Sequence, residues 1–428
     1  MALIKPFKAV RYNCEKAGDI STLTCPPYDI ISDNEYKELT GKNKYNMVNL
    51  ELPHGDDMYE NAYQFYSNCM KDGILKQDNN DCFYIYEEEF TVNSDVFKIK
   101  GFICLVKLED FSKKVVLPHE ETLTKAKTDR FNLMSTTYSN FSQIYSLYID
   151  ENGKSSSLIN KMSDKSPDVE FKTNDDIIHR LWIVDDENTN AQLASHFNDR
   201  QLYIADGHHR YETALKFKQK LLDEGKITDE NHAGNFVMMM LVDMENDGLV
   251  VFPTHRLIKD SDKFSEEIIL QGAQKNFNII KINNTDNIAA ELDKLKDTKS
   301  VAFYTGKDYF HILTLKNNDA VKKALPRLSD ASCGLDVSVL HTLLLDELLG
   351  INKESMANQS NLVYTKILQQ AIDSVKSGEY QCSFILNPTK VSEIKDVALA
   401  NEKMPQKSTY FYPKIITGLV INKICERN

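Results

Sequence analysis

The chain has 428 residues, 51 Lys and Arg against 63 Asp and Glu, a net charge of -12, and 42% hydrophobic with 27% charged residues. That length exceeds one small domain, and the composition is that of ordinary globular proteins, which excludes a low-complexity scaffold. The acidic balance repels a phosphate backbone, so a nucleic-acid surface is excluded, whereas a small anion held by a few local donors is not.

The opening "MALIKPFKAVRY" lacks the apolar core of a secretory signal, and no apolar run approaches the roughly 20 residues that span a bilayer. A cytoplasmic protein with no membrane association is the expectation. Cys14, Cys25, Cys69, Cys82, Cys104, Cys333, Cys382 and Cys425 form no Cys-x-x-Cys pair and read as reduced thiols.

Along the chain, the prolines of "TCPPYDIIS" impose an extended path, with Asp29 placed to cap the next element. A helix is expected near Glu60 to Lys71. "CFYIYEEEFTV" and "VFKIKGFICLVKLED" alternate around a polar "NSD" turn, as a hairpin does. The polar passage from Val115 to Asp150 ends in a strand-like tail and is long for a plain connection. "HRLWIVDD" reads as a strand, "NAQLASHFND" as a short helix, and "RQLYIAD" as a strand entering the turn "DGHHR". Beyond it, Tyr211, Ala214, Leu215, Lys218, Leu221 and Leu222 recur at helical spacing up to the C-cap Gly225.

Two further strand-like runs flank Asp247-Gly248, a hairpin signal. Met238, Met239 and Met240 read as core strand rather than as a cofactor box. From Phe264 helices and strands alternate as in an α+β lobe, followed by the helical "SVLHTLLLDELLG", a helix near "KILQQAIDSVKSG", the strand "QCSFILN" and a returning tail. The expected class is a mixed α/β protein. Its expected parts are a core with N-terminal elaboration over 1–260, a small α+β lobe over 261–330, and a helical and strand segment over 331–428 that returns to the core.

A strand–glycine–helix junction is a seat for phosphate, because the first amides of a helix are unpaired and its dipole is positive there. Gly207 lets a backbone approach the ligand, Arg210 offers a planar fork, and His208 and His209 add donors. Asp206 is placed to cap the helix or to orient a magnesium ion bound mainly to the ligand. Capping alone leaves the His-His-Arg run unexplained. A catalytic metal held by Asp and His ranks lower, since adjacent histidines point apart, unlike an i,i+4 pair.

The order Gly207-x-x-Arg210-x-x-x-Ala214 resembles the phosphate-binding box of the ParB/sulfiredoxin superfamily, which includes CTP-binding ParB proteins and an ADP-dependent free-serine kinase. The Asp-Gly-His-His-Arg form is similar to the kinase branch. Sulfiredoxins carry a catalytic cysteine where this chain has His208, which argues against sulfinic-acid reduction. Through "PPYDII", "LPHEETL", "NFSQIYSLY", "HRLW", "YIADGHHRYETA", "GLVVFPTHRL" and "MPQKSTYFYPK" nearly the whole chain resembles the bacterial DUF1015 family. The two resemblances imply a ParB/sulfiredoxin-like core and serine or phosphoserine as the small partner.

Other candidates are weaker signals. Glu120, after His119 in "LPHEETL", is a candidate base for a hydroxyl proton, against the alternative of a solvated Glu-Glu pair. The kinase branch's catalytic glutamate is carried onto it. His119, Arg130 and Asn140 are the candidate substrate-binding residues, Arg130 and Asn140 as side chains that could face a ligand carboxylate or phosphate. Thr254, His255 and Arg256 cluster after a strand, where sites of α/β proteins collect. Lys407 and Ser408 are candidate phosphate ligands, while Tyr410 and Tyr412 read as packing residues.

The expected function is nucleotide-dependent phosphoryl transfer to or from free serine or phosphoserine, with magnesium and ATP or ADP. Glu120, Asp206, His208 and His209 are the candidate catalytic residues. The alternatives are a nucleotide-binding regulatory module without catalysis and a metal-dependent phosphohydrolase. A homodimer is admitted as the assembly.

Overall fold

In the computed structural model, residues 1–120, 124–358 and 361–427 are described. They form two compact units: Met1–Pro118, Thr122–Leu249 and Pro413–Asn428 make one, and His119–Glu121 with Val250–Tyr412 make the other. The crossing thus falls at 249/250 rather than at 260. Residues 261–330 share one unit with most of 331–412, and the tail enters the first unit at Pro413.

The first unit is built on a mixed sheet of nine strands among the described residues. They are β1 (Ile4–Lys5), β2 (Phe83–Val92), β3 (Asp95–Lys107), β4 (Val116–Leu117), β5 (Ile144–Tyr148), β6 (Val169–Lys172), β7 (Ile178–Val184), β8 (Leu202–Asp206) and β9 (Phe236–Asp243). Their spatial order is β4-β8-β5-β9-β3-β2-β7-β6, with β1 beside β3. The expected β2–β3 hairpin forms, with Val92 opposite Asp95. Asn93 and Ser94 both take positive φ, 49° and 74°, the backbone twist that a two-residue hairpin turn requires. Met238, Met239 and Met240 lie in β9, wholly buried between β3 and β5.

Helices α1 (Met58–Lys71), α2 (Thr124–Thr137) and α3 (His208–Asp223) belong to this unit, and α2 packs on both α1 and α3. The passage expected as an irregular connection therefore contains a helix of 14 residues. Its sparse apolar positions conceal it, because its neighbours are two helices rather than one broad core face. In α3, Tyr211, Ala214, Phe217 and Leu221 are buried in the core with Met239 and Phe197. Gly225, at φ 65°, ends the helix while Lys226 N–H reaches back to the Leu221 carbonyl at 2.9 Å, as a left-handed C-cap does.

Asp29 does not cap the helix after it; it lies in a single turn, Tyr28–Ile30. Ser32 is the cap instead, accepting from Glu35 N–H at 3.3 Å. The shorter spacing from Ser32 to the helix start decides this, since a cap must precede its first turn directly.

The second unit carries β10 (Val250–Phe252), β11 (His255–Ile258), β12 (Phe277–Asn283), β13 (Ser300–Tyr304), β14 (Tyr309–Leu315), β15 (Leu362–Thr365), β16 (Cys382–Leu386) and β17 (Tyr410–Tyr412). Six of them form an antiparallel sheet in the order β12-β14-β13-β16-β11-β15. No hairpin forms about Asp247-Gly248: β10 pairs with β17, and β11 with β15 and β16. Gly248 instead lies against β3, where a Cβ would stand 2.1 Å from the Lys98 carbonyl oxygen. The turn-prone dipeptide thus serves a close backbone approach. The helix expected over "SVLHTLLLDELLG" starts as an α-turn at Asp336–Val339 and continues as a π-helix over Leu340–Asp346, a winding often found where a side chain must be re-aimed.

The mixed α/β class expected from the sequence is the class observed. Among the described residues, no helix is long and apolar enough to cross a membrane.

Candidate functional site

Pairing of β8 with β5 slips between Ile204 and Asp206, and such irregularities re-aim the next side chains. The chain then turns at Gly207, φ 96° and ψ 26°, and α3 begins at His208. A Cβ on Gly207 would lie 2.9 Å from Nε and 3.0 Å from Cζ of Arg210. Both the positive φ and this close approach call for glycine. The group laid against Gly207 is thus the chain's own guanidinium, folded back over the turn.

Arg210 is fixed by two hydrogen bonds: Nη2 donates to Asp206 Oδ2 at 2.6 Å, and Nη1 donates to the Gln143 carbonyl at 2.5 Å. The other carboxylate oxygen of Asp206, Oδ1, accepts from Lys414 Nζ at 2.5 Å. Burial works to raise the Asp206 pKa, but Lys414 and Arg210 outweigh it and hold the carboxyl far below its usual range. Asp206 therefore does not cap α3, whose N-cap is Gly207. With both oxygens given to cations of the chain, the donor set does not fit a protein-held magnesium ion. Among the described residues, no group of three or more His, Cys, Asp or Glu side chains is arranged to hold a metal.

His208 is buried and His209 half-buried on the first turn of α3, and the charge of His208 adds to the pull on Asp206. Arg130, on α2, is buried; Nε and Nη2 donate to Asp129 Oδ2 at 2.8 and 2.6 Å, and Nη1 donates to the Glu51 carbonyl at 2.6 Å. The Tyr28 ring of "PPYD" covers its guanidinium at 4.0 Å, a cation–π contact. Glu51, 1% exposed, accepts from Ser142 Oγ at 2.8 Å. Burial raises its pKa against the pull of Arg130 and Arg210. Glu51, Arg130, Asn140, Ser142 and Arg210 line one cavity of about 30 Å³, room for a water or two. Asn140 is partly committed to structure, since Oδ1 accepts from Met238 N–H at 3.3 Å and from Asn422 Nδ2 at 2.8 Å.

The first unit thus assembles Asp206, Gly207, His208, His209, Arg210, Arg130 and Asn140. Sequence reasoning missed Lys414 and Glu51. A charged residue wedged in the apolar "NLEL" is the signal that marks Glu51; nothing local marks Lys414 as the partner of Asp206.

The remaining candidates lie in the second unit. Glu120 Oε1 accepts from Lys407 N–H at 2.8 Å, and its strand bridge is to Met404. His119 is buried, with Nε2 3.1 Å from Thr409 Oγ1 and its carbonyl accepting from Met404 N–H at 2.6 Å. Ser408 is buried and donates to the Pro405 carbonyl at 2.5 Å. Lys407 takes φ 55°. Its carbonyl accepts from Nη2 of Arg256 at 3.1 Å. Arg256 is wholly buried, with Nη1 on the Thr254 carbonyl and Nε 3.3 Å from His341 Nε2, on the π-helix. Burial lowers its pKa to about 10 and that of His255 to about 4, so the arginine stays charged and the histidine neutral at pH 7. The His255 Nδ1 accepts from Leu386 N–H at 3.3 Å. Arg256 therefore reads as a strut tying His341, Thr254 and Lys407 together, and its carbonyl partner Lys407 in turn holds Glu120.

Fold and turn together define a mixed α/β protein whose half-buried strand–glycine–helix junction carries two cations on one carboxylate. The chain belongs to the DUF1015 family, described as proteins of unknown function, whose model matches residues 4–338. No curated protein matches it. Solved structures it is similar to include a free serine kinase variant in complex with AMP, at 13% identity, covering 74% of this chain and 92% of that one, with a TM-score of 0.38. A conserved hypothetical protein from Pyrococcus furiosus is 13% identical over 75% of this chain and 95% of its own, TM-score 0.36. SbnI from Staphylococcus aureus, truncated at its C-terminus, is 11% identical over 75% and 87%, TM-score 0.36.

Proposed function

We propose that this protein is a nucleotide-dependent phosphotransferase acting on free serine or phosphoserine, in the cytoplasm, with ATP or ADP as the nucleotide. The observation that carries the reading is the pairing of two cations, Arg210 and Lys414, with the single carboxylate of Asp206 at the mouth of a helix of 16 residues. Two cations at that place, added to the helix dipole, suit a phosphate. The motif Gly207-x-x-Arg210-x-x-x-Ala214, with its likeness to the phosphate box of the kinase branch, supports the same reading.

In this reading Gly207, His208, His209 and Arg210 receive the nucleotide phosphates, and Arg130 and Asn140 are the side chains nearest in kind to a small anionic substrate. The serine hydroxyl must lose its proton as its oxygen bonds to phosphorus and the nucleotide's terminal P–O bond breaks, and Glu120 is the candidate base for that proton. Lys407 holds Glu120 through its backbone N–H, and Arg256 holds the Lys407 carbonyl; Thr254, His255 and Ser408 remain candidate phosphate ligands of the same unit. Magnesium enters as the nucleotide's own counter-ion, because Asp206 is committed to Arg210 and Lys414.

The test is incubation of the full chain with radiolabelled nucleotide, magnesium and either serine or phosphoserine. Label moving between nucleotide and amino acid is the expected result. Tight binding without turnover supports instead a regulatory nucleotide module, and release of inorganic phosphate alone supports a phosphohydrolase.

A further inference from the structure

A second cavity lies in the first unit and shares no residue with the turn at Gly207. Its volume is about 230 Å³. An apolar cavity of about 150 Å³ takes up benzene, and drug-sized ligands need about 300 Å³ or more. A small metabolite is therefore the size that fits.

The lining has two characters. Ile20, Val169, Leu181 and Leu419 supply an apolar wall, and Arg11 and Glu15 supply opposite charges. Three bonds tie Arg11 to Asp78, all through Nε and Nη2, at 2.7 to 3.1 Å. They hold the guanidinium rigid, and Nη1 takes no part in them. Its side chain keeps 25% exposure. Glu15 is exposed, in the short helix Cys14–Ala17. Cys14, also lining the cavity, is exposed and free, so solvent reaches its mouth.

We propose that this cavity binds a small apolar α-amino acid as its zwitterion. The carboxylate meets Arg11, the ammonium meets Glu15, and the aliphatic side chain packs on Ile20, Val169, Leu181 and Leu419. An aliphatic body alone would leave Nη1 of Arg11 and the Glu15 carboxylate without a ligand contact, and a simple carboxylate would face the repulsion of Glu15. Only a ligand bearing both charges on one carbon next to an apolar group satisfies the whole lining.

Cys14 provides the readout. Alkylation of Cys14 in the full chain, resolved by peptide mass mapping, is measured with leucine, isovalerate or isoamylamine as the added compound. Leucine slows the reaction, and isovalerate and isoamylamine act about tenfold more weakly, as expected when one charge-assisted contact is missing. Glu15→Gln erases the advantage of leucine over isovalerate, and Val169→Trp, which fills the cavity, abolishes protection by all three. The proposal is overturned if leucine fails to protect Cys14, if isovalerate protects equally well in the unaltered protein, or if protection persists unchanged in both variants. Should Val169→Trp not fold, the Glu15→Gln comparison decides alone, because that side chain is exposed.

Discussion

Lys414 and Asp206 stand 208 positions apart in the chain, yet Nζ and Oδ1 meet at 2.5 Å, on the far side of the carboxylate from Arg210. The pair holds the Asp206 pKa below its unfolded value, so its stabilisation is present above the unfolded pKa, about 3.9, and fades as pH falls through the lower folded value. Asp206→Asn should cost about 3 kcal/mol near pH 6, typical for leaving buried charges without their partner. That deficit should shrink below pH 4. Urea unfolding of both proteins from pH 3 to pH 7 measures it; a deficit independent of pH would contradict the ion pair.

Gly207 is strained for any other residue. Gly207→Ala sets a Cβ 2.9 Å from Arg210 Nε at φ 96°. A loss of about 1–3 kcal/mol is expected for the backbone alone, and the displaced guanidinium should weaken nucleotide binding further. Calorimetric melting and a nucleotide titration on the same sample separate the two effects.

Arg210 and Glu120 have different expected phenotypes. Arg210→Ala should weaken nucleotide binding about tenfold or more, the usual loss of a charge-assisted fork. Glu120→Gln keeps an oxygen for Lys407 N–H, so binding should survive while turnover falls about a hundredfold, as for removal of a general base. Equal loss of binding and turnover in Glu120→Gln would remove it as the base.

Glu88, wholly buried in β2, takes a hydrogen bond from Tyr86 OH at 2.7 Å on Oε1, while Oε2 has no partner. Burial raises its pKa to about 8, against the hydrogen bonds of Tyr86 and the Ile416 backbone. A raised carboxyl contributes its full stability below the unfolded pKa, and that stability is lost as pH climbs toward about 8. Relative to the unaltered protein, Glu88→Gln should therefore gain on the order of a few kcal/mol between pH 4.5 and pH 8.5. Denaturant midpoints at the two pH values supply the comparison.

What the chain determines by itself is local. Strand alternation foretells β2, β3, β7 and β8, the helical spacing after Arg210 foretells α3, and Gly225 marks its end, because these features depend on side-chain periodicity and backbone freedom at neighbouring positions. The "DGHHR" turn is legible for the same reason: a glycine between strand and helix has few other uses. Tertiary structure alone decides that Lys414 completes Asp206, that Glu51 and Arg130 share a cavity with Arg210, and that Arg256 is buried beneath His341. It also sends β10 to β17 rather than back to β9. Pairings between residues hundreds of positions apart depend on which surfaces the two cores bury, and no short-range pattern encodes that competition.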